Sequence, residues 1–407
     1  MTGYLIVRHL LARGHDVSVL YLEGHDYQPG ERQADAAALA DMGVSAVQSV
    51  PFAQIPLARG LGRIRRRLVY TPALFRPWSG RADVICEAVT VLRPDICVLW
   101  GFEPIEGFLS VRGIPKVAGL GVFRYNLEEV RLGLPVTGAS RARRVLEKCA
   151  YPLWKRQYLR NARELIASVD RAWFFADNYA RACRDRFGLR QVAYLPNPAM
   201  DEREGVSIRS DRVPANNPFR IVMVGHLRGT ATQSGLKFFA EKIFPVLKAR
   251  NEADRYEFLL VGKFSPPEWL ERLLPRSHVK QLGYVDNFAD TLNAADAVLV
   301  PIPDDVGNRL RIASAFSAEA CVVTHASSLL GMPELVHEDN CLVGDSAEAI
   351  ASCLRRACED RVLNSRLRAG GRRTYEQYFH PAVACERIEQ FVLGDARSEG
   401  PPRSALT

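Results

Sequence analysis

Three stretches in the second half of the chain carry side chains whose types and spacing suit the binding of an anion. Val224-Gly-His-Leu-Arg-Gly-Thr230 offers Gly225, His226 and Arg228. Pro301-Ile-Pro-Asp-Asp-Val-Gly-Asn-Arg-Leu-Arg311 offers Asp304, Asp305, Arg309 and Arg311 where a helix begins. Thr324-His-Ala-Ser-Ser-Leu-Leu-Gly-Met-Pro-Glu334 adds small polar residues and the carboxylate of Glu334. Glycine lets a backbone approach a ligand closely, a helix start presents unpaired N–H groups, and arginine matches phosphate oxygens in pairs. Each stretch also has a plainer reading. Glycine-rich strand ends are common, so Gly225 and Gly262 alone say little. Arg309 and Arg311 lie two apart and leave a helix on different sides, so one of them can be merely solvated. His226 is balanced between ligand contact and a satisfied turn residue, and His325 reads as a local cap. No catalytic residue is named.

The elements that must hold these stretches alternate regularly. Strand-like runs at Phe219–Gly225, Tyr256–Gly262, Val279–Gly283, Ala297–Pro301 and Cys321–Thr324 are separated by helical patterns at Leu236–Arg250, Phe288–Ala294 and Arg309–Ala318. A helix at Ala347–Glu359 and a terminal one at Pro381–Leu393 follow. Strands alternating with helices imply a parallel sheet with crossover helices, whose ligands bind at the carboxyl ends of the strands. The first half reads similarly but less regularly. Gly3–Ala12 is helical and stops at Gly14, Val17–Leu22 is a buried strand, and further strands fall at Ser45–Val50, Asp95–Trp100, Pro115–Gly119 and Ala167–Phe175. A strand and a glycine turn should precede the first helix of such a domain. Two alternatives stand open: the reading frame starts upstream of Met1, or this domain has lost a central strand.

The expected organisation is therefore α/β, with two Rossmann-like domains facing each other across a cleft. Residues 1–198 form the first domain, 199–217 a Pro-rich linker, 218–378 the second domain, 379–393 a terminal helix and 394–407 a disordered tail. Gly3, Tyr4 and Glu103 are expected to line the cleft from the first domain. At 407 residues two cores are the natural division. The net charge of +8 is uneven, because residues 1–200 hold 28 Lys and Arg against 18 Asp and Glu, and the rest 26 against 28. The excess sits in Arg59–Arg67 and in the helix-like Ser140–Arg163, where Leu, Trp and Tyr are interleaved. Such a surface suits an anionic membrane or a phosphorylated acceptor, with a solvated helix face as the bland alternative. No binding module accompanies the charge, so nucleic acid is not expected as a partner. Nine cysteines with no CxxC pair point to reduced, structural thiols and a cytoplasmic protein, and no metal site is expected. No G-x-G-x-x-G follows a strand, which argues against a nicotinamide enzyme.

The succession of motifs in the second half resembles the C-terminal domain of the two-Rossmann (GT-B) glycosyltransferases, specifically the retaining family 4 group. The stretches that carry the resemblance are Val224-Gly-His, Phe258-Leu-Leu-Val-Gly262, Gly283-Tyr-Val-Asp286, Ala294–Pro301, Gly307-Asn-Arg-Leu-Arg-Ile312, Cys321–Thr324 and Gly331-Met-Pro-Glu-Leu-Val-His-Glu-Asp-Asn-Cys-Leu-Val343. The first half is similar only loosely, through Arg13–Val19 and Tyr194–Asp201. The resemblance implies a nucleotide-diphosphate sugar as donor, a glycan or lipid-linked acceptor, retention of the anomeric configuration, no cofactor, and no divalent metal for donor binding. It places the donor against Gly225, His226, Arg228, Gly262, Asp304, Asp305, Arg309, Arg311, Ser314 and Glu334. The family's pair of glutamates falls at Val306 and Ser314 in this chain, its usual arginine at His226 and its Lys-Gly near Ser234-Gly235. Arg309-Leu-Arg311 looks like the Gly-x-Arg-x-Lys version that lacks the first glutamate. The implied location is cytoplasmic, peripheral at the inner membrane surface. A catalytically degenerate nucleotide-sugar- or partner-binding protein of the same fold is the alternative.

Overall fold

The computed structural model describes residues 2–22, 36–50, 82–135, 141–203, 218–285 and 288–394. The basic cluster Arg59–Arg67, most of the linker and the expected tail beyond Gly394 lie outside them.

The first domain runs α1 (Thr2–Ala12), β1 (Ser18–Leu22), a helical stretch at 36–41, β2 (Ala46–Val50), α2 (Ala82–Leu92), β3 (Cys97–Trp100), α3 (Phe102–Gly107), β4 (Lys116–Leu120), α4 (Arg124–Gly133), α5 (Arg141–Ala167), β5 (Arg171–Phe174), α6 (Asp177–Phe187) and β6 (Val192–Tyr194). All its ladders are parallel, which requires crossover helices and buries both sheet faces. One face of β3-β4-β5-β6 packs Leu99, Ala118 and Phe174 against Ile85, Phe102, Tyr158 and Ala180 from the helices. The other packs Val117 and Trp173 against Leu5 and Ile6 of α1. Helix α6 ends where Gly188 takes the left-handed conformation, φ 71°, that a side chain would resist.

This sheet is split. Strand β1 pairs with β2 alone, and β3 with β4 alone, among the described residues. Leu20 and Val50 nevertheless pack on the core that holds Leu99. In the doubly wound order the first strand separates the second from the fourth, and among the described residues the break between β1 and β3 falls at that position. Val98 and Trp100 on β3 are about two-fifths exposed beside it.

The second domain runs β7 (Phe219–Val224), α7 (Thr230–Phe238), α8 (Phe244–Ala249), β8 (Tyr256–Val261), α9 (Glu268–Glu271), β9 (Val279–Gly283), α10 (Phe288–Ala294), β10 (Ala297–Val300), α11 (Leu310–Ser317), β11 (Val322–His325), α12 (Ser328–Gly331), β12 (Leu342–Gly344), α13 (Ala347–Glu359) and α14 (Arg361–Thr374); α15 (Pro381–Leu393) ends the described chain. The strand order is β12-β11-β10-β7-β8-β9. That is the doubly wound arrangement, with its reversal between β7 and β10. Every residue of β10 is buried, as expected of a central parallel strand.

Three details differ from the sequence reading. The helix expected at Leu236–Arg250 starts at Thr230 and passes through a wide π turn, Phe239–Ile243, before α8. Pro245 has no N–H to close an α turn, so the chain widens before it. Helix α14 is not evident in the sequence because Gly370-Gly371 lowers its propensity. Those glycines are there because a Cβ would collide with the Asp339 backbone and the Phe316 ring. The terminal helix α15 leaves the second domain and packs Ile388, Phe391 and Val392 on Trp173 and α1. All nine cysteines are free thiols: six are buried, Cys86 and Cys358 are half-buried, and Cys149 is exposed.

Candidate functional site

The reversal of strand order opens a crevice between the carboxyl ends of β7 and β10, and Arg311 fills it. Its guanidinium donates to Val224 O (2.7 Å) and Thr232 Oγ1 (3.2 Å). A Cβ on Gly225 would come within 2.8 Å of Arg311 Nη1, so glycine is what admits the cation. Among the described residues no carboxylate pairs with Arg311. Burial, aided by the nearby Arg309 charge, pulls its pKa down to about 10, which still leaves it charged at neutral pH. The hollow bounded by Val224, Thr232, Gly235, Pro301, Ile302 and Arg311 is about 10 Å³, room for about one water molecule.

Arg309 does something else. It is 3% exposed, and its guanidinium donates to Val306 O, to Asp304 O (2.6 Å) and to the hydroxyls of Ser328 (3.3 Å) and Ser327 (3.4 Å). Burial likewise lowers its pKa to about 10. It is a clamp on the 304–306 loop, turned away from the crevice. Ser234 donates to the Asp304 carboxylate.

That loop touches the first domain. Asn178 donates to the Asp305 carboxylate (2.6 Å) and Asn126 to Asp305 O (3.1 Å). The Tyr179 hydroxyl accepts from Gly307 N (3.0 Å). Burial raises the Asp305 pKa against the opposing effects of Asn178 and Arg309. A second contact lies beside it. Tyr194 OH donates between the two oxygens of Glu334, at 3.1 and 3.0 Å, and Glu334 is 6% exposed. Burial pushes the Glu334 carboxyl up to about 7 and the Tyr194 hydroxyl well above its usual value. Ser314 is part-exposed on α11, and its carbonyl accepts from Ser317. His325 Nδ1 accepts from Ser327 N (3.1 Å), a local cap as expected. Gly3, Tyr4 and Glu103 take part in none of the interdomain hydrogen bonds among the described residues; Tyr4 and Glu103 are exposed. Asn126, Asn178, Tyr179, Arg181 and Tyr194 are interdomain residues the sequence did not single out, since nothing local marks contacts made across 127 to 179 positions.

At the outer rim, Gly262 meets the backbone of Gly225, which fixes β8 against β7 with no room for a side chain. His226 and Arg228 are exposed here. Their neighbour is Phe264, from the turn after β8, which also has Lys263 beside it.

Residues 218–360 match the family described as Glycosyl transferases group 1. No curated protein matches the chain by sequence. Among solved structures, a glycosyltransferase from Rickettsia africae superposes with a TM-score of 0.63 at 11% identity, over 97% of this chain and 95% of that one. Anabaena HepE in complex with UDP and glucose gives 0.58 at 14%, over 94% and 100%. WaaG, a glycosyltransferase involved in lipopolysaccharide biosynthesis, gives 0.58 at 15%, over 97% and 95%. The second domain thus matches the glycosyl transferases of group 1, and the chain as a whole has the two-Rossmann GT-B fold of these glycosyltransferases.

Proposed function

We propose that the protein transfers a sugar from a nucleotide-diphosphate donor to a glycan or lipid-linked acceptor, with retention and without a divalent metal. Arg311 carries this reading: a half-buried, charged guanidinium with no carboxylate partner among the described residues, at the strand-order reversal where doubly wound sheets bind ligands. Charge that develops on a departing diphosphate would be met there by a fixed cation and by the start of α7, whose N-cap Gly229 makes no side-chain cap bond. HepE was solved with UDP and glucose, which makes UDP the first base to try.

The experiment is calorimetry and turnover with UDP-, GDP- and ADP-sugars, with and without a chelator. Arg311→Gln should weaken the preferred nucleotide on the order of 10- to 100-fold, the worth of hydrogen bonds to a charged group. Unchanged affinity would move the diphosphate elsewhere. A chelator should leave turnover unchanged.

A second reading, a binding protein without turnover, draws on Glu334 and Ser314. The one acidic side chain of the Gly331–Glu334 stretch is occupied by Tyr194, and a hydroxyl stands at 314. Binding of a nucleotide sugar with neither transfer nor hydrolysis would select it.

The acceptor side is assigned to an anionic membrane surface facing the cytoplasm. No described helix is long and apolar enough to cross a membrane. Helix α5 instead exposes Val145, Leu146, Cys149 and Leu153 on one side, continued by Arg156, Arg160 and Arg163. An apolar stripe flanked by cations is the pattern of a helix lying in a headgroup layer.

A further inference from the structure

Phe264 is a bulky residue in a conformation it should avoid. Its φ is +68°, in the left-handed region that disfavours side chains, and its ring is 47% exposed. A glycine would relieve the backbone, and burial does not reward the ring. What the position does achieve is a gathering of cations. The Arg228 guanidinium and the Lys263 ammonium each lie 5.3 Å from the ring centroid, and the His226 ring packs edge-on at 5.3 Å. Arg228 and His226 come from the end of β7 and Lys263 from the end of β8, so one ring joins both strand ends. No carboxylate pairs with Arg228 or Lys263 among the described residues. The strand-end arginine and Lys-Gly expected for a diphosphate are replaced here by His226 and Ser234-Gly235, which leaves the first strand end short of charge.

We propose that Phe264 is a positioning residue that holds Arg228 and Lys263 together as a phosphate clamp at the rim of the crevice, with Lys263 supplying a contact to the donor diphosphate. The inference rests on the donor reading above and adds to it two residues, Lys263 and Phe264, on a different strand end. Cation–π attraction orients the two flexible side chains without neutralising them, which a carboxylate would do.

The test is calorimetry with UDP and with inorganic pyrophosphate, beside thermal melting, on wild type, Phe264→Gly, Phe264→Tyr and Lys263→Ala. Phe264→Gly should melt no lower than wild type, because it relieves the positive φ, yet bind both probes about fivefold more weakly. Phe264→Tyr should restore binding. Lys263→Ala should lose about tenfold, less at high salt. Binding by Phe264→Gly within twofold of wild type overturns the clamp. So does a loss that comes with a lower melting temperature and is not restored by tyrosine, since that is a structural role. If wild type binds UDP, GDP and ADP not at all, the donor reading itself fails and takes the clamp with it.

Discussion

Arg309 and Arg311 show how far residue type goes. Both belong to one motif, Arg309 buried and Arg311 half-buried, and residue type alone does not rank them. The structure turns Arg309 into carbonyls of its own loop and Arg311 into the crevice, because α11 begins between them and sends the two side chains to opposite sides. Glu334 is a similar case, a carboxylate in a motif expected to meet a donor, found accepting from Tyr194 across the domain boundary. Its carboxyl is raised to about 7 from an ordinary 4.5. The folded state therefore holds the proton more tightly than the unfolded chain. Stability from this group is fully present below about pH 4.5 and is lost as pH rises towards 7, by on the order of 3 kcal/mol in all. Melting curves of wild type and Glu334→Gln from pH 4.5 to 8 should therefore converge at the acid end and separate towards neutrality, with the glutamine variant the less pH-sensitive. Parallel curves would show that the carboxyl does not titrate in this window.

At the scale of elements, α5 is the one whose exposed face has no internal explanation. Its buried side holds Trp154, Tyr158 and Leu165 in the core, while Val145, Leu146 and Leu153 are each more than half exposed. Sedimentation with phosphatidylglycerol vesicles should pull the protein down at low salt and release it at high salt, with phosphatidylcholine vesicles much weaker. Leu146→Asp with Leu153→Asp, and separately Arg156→Glu with Arg163→Glu, should each weaken binding, the latter by about 1 kcal/mol per basic residue removed. Equal binding to neutral vesicles, or none to either, would remove the membrane from the account. Helix α15 shows the opposite situation. His9 and His15 each meet Glu389 at 2.8 Å, and Arg13 at 3.4 Å, tying the last helix to the first. Burial opposes the Glu389 charge, but the hydrogen bonds from His15 and His9 outweigh it and hold the carboxyl below its usual range. The amphipathic pattern of 381–393 was legible; its destination on the other domain was not, because an apolar stripe does not say which surface it will cover.

Beside the docking of α15, the two domains meet through polar contacts at 305–307, 330 and 334. Each polar contact is worth about 1 kcal/mol, so this edge of the interface is the part a ligand can shift most easily. Tyr179→Phe with Asn178→Ala removes two of them without touching Arg311. Hydrogen exchange at the Gly307 amide should speed up in that variant, and α15 should stay protected, since its apolar contacts are untouched. No change at Gly307 would mean that the domains are kept together elsewhere.

The alternation of apolar runs with helical patterns was enough to establish two parallel α/β units, because a strand buried on both faces must be apolar throughout. Among the described residues the ladders of the first domain break between β1 and β3. The glycines at strand ends were readable as close approaches, though the partner at Gly225 and Gly262 turned out to be the protein itself. What only the tertiary structure decided is which charges keep a carboxylate-free environment among the described residues, Arg311 at the crevice and Arg228 and Lys263 around Phe264, while Arg309 is bound to its own loop and Glu334 to Tyr194. Residue type fixes what a side chain can bind, but its free charge depends on neighbours brought from another strand or another domain. Those neighbours, Val224 and Thr232 for Arg311, Tyr194 for Glu334, are set by the winding of the sheets and the docking of the domains.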